Sequence, residues 1–249
     1  MVFYVPITKH NTNIIMRITI VSENQIVENW EKLLNIVDKF RSERKDNLKK
    51  MYDYLAERMA SAPASSIEHY HNAFPGGYVD HVLRVIDLCG KKHNLYKNEG
   101  FIIDYSQEEL IFSALHHDLG KIGDFNNDFY IPNTSQWHKD NQGKMFNTND
   151  KINIISKNDR TLFILQHFGV TYSENEQIGM KWASGYYDEE NKQYFDKYLK
   201  LKRPIPMIVN VLTNAVEMAI QFEKNKWYNS NTVNTVNNST PFSAVSFSN

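Results

Sequence analysis

Hydrophobic residues recur along most of this chain at intervals of three and four, the spacing of amphipathic helices. From Ser22 to about Ala60 the pattern carries Trp30, Leu33, Leu34, Val37 and Phe40. Ser61-Ala62-Pro63-Ala64-Ser65-Ser66 then breaks it and opens a loop with His69 and His71. The next helix is expected from Val79 to about His93, with His81, Val85 and Leu88 on one face. Ser106 offers an N-cap and Glu109 completes a capping box ahead of Leu110, Ile111, Phe112, Ala114 and Leu115. Gly120 is expected to end that helix, leaving His117 and Asp118 in its last turn. Further helices are expected over 159–168, 173–182 (Ser173 and Glu176 form another capping box), 189–200 and 204–227.

Three stretches lack this period. Residues 1–20 are rich in β-branched side chains and read as one strand or an extended arm. Residues 121–157 are rich in Asn, Asp and Gly, an excursion of a length that is usually functional or flexible. Residues 229–249 carry no charge and are dominated by Asn, Ser, Thr and Val, a tail that is poorly ordered or orders on a partner. The pattern predicts an all-α fold without internal repeats: an arm over 1–20, a helical domain over 21–227 and a low-complexity tail over 228–249.

Composition narrows the classes. Across 249 residues, 41% apolar and 23% charged is ordinary for a soluble globular protein. The net charge of −1 argues against a surface that coats nucleic acid, and no stable nucleic-acid binding is expected. The run Arg41-Ser42-Glu43-Arg44-Lys45 with Lys49-Lys50 is open to two readings, a phosphate-binding patch or a solvated helix face with Glu43 and Asp46 interspersed. The one cysteine, Cys89, excludes an internal disulfide and a Cys-rich zinc site, and points to a reducing compartment. No apolar run reaches the roughly 18 residues of a membrane span. Pro6, Lys9 and His10 break up the N-terminus in a way that does not resemble a signal peptide. A cytoplasmic protein is expected (host cytoplasm, if a phage encodes it).

The chemistry concentrates in His116-His117-Asp118-Leu119-Gly120-Lys121, with Gly76-Gly77-Tyr78-Val79-Asp80-His81 upstream. Imidazole and carboxylate suit first-row divalent ions, and such an ion makes a bound water nucleophilic near neutral pH. This arrangement resembles the HD-domain superfamily of metal-dependent phosphohydrolases, and residues 25–227 are similar to HD proteins of tailed bacteriophages. The resemblance implies a helical bundle that cleaves phosphomonoesters, phosphodiesters or nucleoside triphosphates with a divalent metal (Mn, Fe, Mg, Co, Ni or Zn). By position it implies His81, His117 and Asp118 as metal ligands, with Asp118 also catalytic. Lys121 would be both catalytic and substrate-binding, facing the phosphate. His71, and less directly His69, would line the substrate cleft.

Two departures stand beside these matches. The family closes its site with an aspartate in Ala-Asp-x-Met-Ala, whereas this chain reads Ala215-Val216-Glu217-Met218-Ala219, with Glu223 and Trp227 following in register. The favoured register puts Val216 at the aspartate and a competing one puts Asn214 there; neither supplies a carboxylate, and Glu217 is rotated by about one position. Similar phage proteins carry Trp-His-Asp-Gly where this chain has Trp182-Ala183-Ser184-Gly185. His138 and His167 are read as structural or exposed. Two functions follow: a hydrolase acting on a nucleotide, a related phosphate ester or a nucleic-acid 3′ end, or a catalytically weakened HD fold that binds or assembles. The second includes a phage structural part or a nucleotide sponge, joining copies or partners through its termini.

Overall fold

The structure, a computed structural model, describes residues 21–40 and 43–231. The arm at 1–20, Arg41 and Ser42 of the basic run, and the tail beyond residue 231 lie outside the described residues. The fold is all-α, with nine α-helices and one small two-stranded sheet among the described residues.

The expected first helix is two. Helix α1 (Glu23–Val37) starts at Ser22, whose hydroxyl accepts from the Gln25 amide, and α2 spans Lys45–Ser61. Leu33 and Val37 from α1 and Leu48, Met51, Leu55 and Met59 from α2 bury matching stripes against α3 (Gly77–Asn98). Helix α4 (Gln107–His116) carries the expected Ser106–Glu109 capping box. Helices α6 (Lys157–His167), α7 (Glu174–Trp182), α8 (Glu189–Lys200) and α9 (Met207–Asn231) complete the bundle. Helix α9 packs along α3 and also meets α7 and α4. It runs four residues past the expected boundary at Trp227, because Tyr228-Asn229-Ser230-Asn231 contains no breaker and Asn231 donates to the Trp227 carbonyl at 2.7 Å.

Apolar side chains form two clusters. One gathers Leu33, Leu48, Tyr52, Tyr78, Phe112 and Leu115; the other gathers Val85, Leu110, Trp182, Phe195, Leu212 and Val216. Helices α3 and α4 contribute to both, so the residues at their ends are held from two sides.

The excursion over 121–157 is more ordered than its composition implies. It holds β1 (Tyr130–Pro132), α5 (Gln136–Gln142) and β2 (Phe146–Thr148), with β1 and β2 antiparallel and Tyr130 opposite Thr148. This unit docks on the loop after α2. The Met145 and Phe146 amides donate to the Ser66 carbonyl, and the Glu68 amide donates to that of Gly143. Tertiary pairing supplies the order that local hydrophobicity could not signal. No described helix is long and apolar enough to cross a membrane.

Candidate metal centre

Two glycines bring the site together by allowing backbone to approach backbone. A Cβ on Gly77 would lie 2.1 Å from the Asn72 carbonyl oxygen, so only glycine lets the His71–Asn72 turn close against the start of α3. A Cβ on Gly120 would lie 2.0 Å from the Lys157 carbonyl oxygen, so glycine admits the start of α6 beside the segment after α4. The expectation that the helix runs to Gly120 is therefore corrected. Helix α4 ends at His116, and Leu119–Ile122 tightens into a 3-10 turn in which the Gly120 amide donates to Thr161 Oγ1 at 2.8 Å. His117 caps α4, and Asp118 sits between helix and turn rather than inside the last turn.

His71, His81 and Asp118 each present a ligand atom within 4.8 Å of the other two. His117 adjoins them, with its ring centroid 5.5 Å from that of His81 and its Nε2 3.7 Å from Asp118 Oδ2. The Nε2 atoms of His71, His81 and His117 are buried without a hydrogen-bond partner. Buried polar atoms are rarely left so, and three in one place call for an occupant. Hydrogen bonds on the opposite ring edges orient two of them so that they could act as ligands. His117 Nδ1 donates to the Ala114 carbonyl at 2.9 Å. His81 Nδ1 donates to the Glu223 carboxylate at 3.0 Å. A neutral ring that donates through Nδ1 leaves a lone pair on Nε2, the arrangement found behind metal-bound histidines. Burial, opposed in part by Asp118, pushes His117 down to about 3, so the lone pair is retained at neutral pH. Burial and then the charge of Lys121 push His71 down to about 2.

Asp118 is buried, which by itself would raise its pKa. The ammoniums of Lys121, 2.7 Å from Oδ2, and Lys157, 2.6 Å from Oδ1, outweigh burial and hold the carboxyl well below its usual range. A carboxylate has about four acceptor positions, so two lysines leave room for a cation. Burial also lowers Lys157, against the pull of Asp118. Two nitrogens or three with one carboxylate oxygen form a donor set suited to a first-row divalent ion.

Of the residues expected from sequence, His81, His117, Asp118 and Lys121 meet here. His71 does more than line a cleft, since its Nε2 belongs to the cluster. His69 instead packs edge-on to Tyr70 and at a tilt to Trp227, and His138 lies in α5. His167 packs 4.1 Å from Phe125. Neither α9 register contributes a carboxylate. Val216 is 7% exposed within the second apolar cluster, and the Asn214 amide donates to Tyr96 Oη and the Asn210 carbonyl. The α9 carboxylate that reaches the cluster is Glu223, seven residues after Val216 and so nearly on the same helix face. Its other oxygen accepts from Arg84, which also reaches Asp80, and Asp80 accepts from Asn72 beside His71.

Lys157 and Glu223 were missed as site residues. The Ser156-x-x-Asp159 cap, in which the Ser156 hydroxyl accepts from the Asp159 amide, marks the start of α6 at Lys157 but not its approach to Asp118.

A cavity of about 600 Å³ opens from this cluster. Asp118, Lys121, Lys157 and His71 line one part; Ala183, Phe195, Ile205 and Val209 line another. No family model, curated protein or solved structure matches the chain.

Proposed function

We propose that this protein is a metal-dependent phosphohydrolase of the HD type, acting on a nucleotide or a related phosphate ester. One observation carries the reading: three buried, unpartnered imidazole nitrogens face a carboxylate held between two lysines, at the side of a ligand-sized cavity. His81, His117 and Asp118 would hold the ion, joined by His71. A divalent ion held there would acidify a bound water and offset charge on the phosphoryl group.

The chain's own groups have separable tasks. Glu223 and the Ala114 carbonyl orient two ligand rings through their Nδ1 hydrogens. Lys121 and Lys157 orient Asp118 and place two positive charges where a phosphoryl group would gain negative charge. Asp118 is too weak a base, with its pKa held so low, to serve by abstracting a proton; it serves by holding.

Purified wild type and Asp118→Ala, compared by elemental analysis and by phosphate release in Mn²⁺, Mg²⁺, Co²⁺ or Ni²⁺, test this. Near-stoichiometric metal and turnover, both lost in the variant, are expected. Absence of metal from wild type, with no uptake of added ions, would sink it. A second reading, a binding or assembly scaffold without turnover, is favoured by Val216 in place of a carboxylate and by the lysines on both oxygens of Asp118. It requires metal or ligand binding with no phosphate released from any ester.

A further inference from the structure

The cavity is much larger than the cluster needs. At about 600 Å³ it is in the range that accepts one drug-sized molecule and exceeds what phosphate or pyrophosphate would fill. Its lining on α9 extends from Val209 to Lys224, about 22 Å of helix at 1.5 Å per residue. The character changes along that length. Lys224 and Gln221 are at the C-terminal end, whereas Val209 sits opposite Phe195, Ile205 and Ala183 at the other. Three polar side chains at the second end have a donor engaged, Asn210 to the Ile205 carbonyl, Thr213 to the Trp182 carbonyl and Asn214 to Tyr96, and Ser184 also lines it. Tyr186, stacked on Phe195 with centroids 4.6 Å apart, leaves an exposed ring at this end.

Charge limits the other half of the ligand. Lys121 and Lys157, paired with Asp118, line the cavity together with Lys224 and Glu217, an excess of one positive charge that a divalent ion would raise to three. That suits the dianion of a phosphate monoester and falls short of a triphosphate.

Resting on the phosphohydrolase reading, we infer that the chamber between α8 and α9 is a subsite for an apolar organic group, so that the substrate is a phosphate monoester of an aryl or apolar alkyl alcohol. Such a group gains from every apolar area it covers against Ala183, Phe195, Ile205 and Val209.

Binding separates this inference from hydrolysis. Isothermal titration of the full chain with Mn²⁺ would compare 1-naphthylmethylphosphonate with methylphosphonate. The naphthyl compound is expected to bind at least tenfold more tightly. Ile205→Ser, at a half-buried lining position, should cut that ratio several-fold, while Leu199→Ser on the exposed side of α8 should not. Should a serine variant fail to fold, Ser184→Trp narrows the same chamber and should lower the ratio likewise. A wild-type ratio near one, or a ratio that none of the lining variants changes, overturns the subsite. A tenfold ratio with no phosphate released from 1-naphthyl phosphate would keep the subsite and remove the hydrolase reading. Release with a ratio near one would do the reverse.

Discussion

Helix α4 carries a buried polar cluster at each end, and the two are built on opposite plans. At its start, Arg44 donates to both oxygens of Glu176 at 2.7 Å, to Glu108 and to the Thr171 carbonyl, with its guanidinium 4.1 Å from the Phe112 ring. Glu176 also accepts from the Ser173 amide, and Ser173 donates to Glu109. At its end, His117 and Asp118 meet His71 and His81 with three imidazole nitrogens unpartnered. A network whose groups are matched within the protein holds helices in place. One that leaves lone pairs aimed inward is complete only with something else bound. The difference separates a cluster that holds helices from one that could hold an ion.

The largest effect expected from breaking this contrast is in the closed cluster. Glu176→Ala leaves a buried guanidinium without its main partner, which costs about 3–5 kcal/mol. Thermal unfolding should then fall by roughly 6–20 °C for a chain of this size, while the protein that remains folded keeps its full metal content. Asp118→Ala should show the converse, metal lost with a smaller drop in melting temperature. Equal melting losses in the two variants would mean that the clusters do the same job.

Glu223→Gln comes next. The amide keeps the shape but weakens the acceptor behind His81, so metal affinity should fall by about 10–100-fold, as is usual for a partner behind a ligand. Competition with a chelator of known affinity measures it. An unchanged affinity would mean that His81 is not oriented through Glu223.

The sequence and the fold differ most where tertiary contact decides. Helices α4, α7 and α8 were legible because their caps are local: Ser106 with Glu109, Ser173 with Glu176, and an acidic first turn at Glu189 and Glu190. That His81, His117 and Asp118 come together was legible from a motif. Lys157, and the place of His71 in the cluster rather than only along the cleft, were not, because each reaches the site through a backbone approach that Gly120 or Gly77 permits across a distance in sequence. The strands β1 and β2 were hidden for the same reason, since their pairing and docking on Ser66 follow no apolar period.

Titration sharpens the comparison further. His71, His116 and His117 are all depressed by burial, from an ordinary 6.5 to about 2, 3 and 3. In each case the unfolded chain gains a proton below pH 6.5 that the folded chain refuses. The stabilisation is thus full above pH 6.5 and lost as pH falls toward those lower values. Each such histidine steepens the loss by about 1.4 kcal/mol per pH unit. Denaturant titrations of metal-free His117→Gln between pH 6 and 4 should show a slope shallower by that amount. A wild-type slope would mean that His117 is protonated in the folded state.

His116 and His117 are neighbours with the same burial, and only their hydrogen bonds tell them apart. His116 Nδ1 donates to the Phe112 carbonyl at 2.8 Å, and its Nε2 accepts from Tyr52 Oη at 3.2 Å, so both nitrogens are used within the core. His117 uses one and keeps the other. Tyr52→Phe removes a single long bond between neutral groups, which places the cost near the low end for a buried acceptor, about 1 kcal/mol. The melting temperature should fall by roughly 2–4 °C, with metal affinity unchanged because His116 takes no part in holding the ion. A tenfold loss of metal affinity in Tyr52→Phe would join His116 to the open cluster. The line between structure and chemistry would then no longer fall between these two residues.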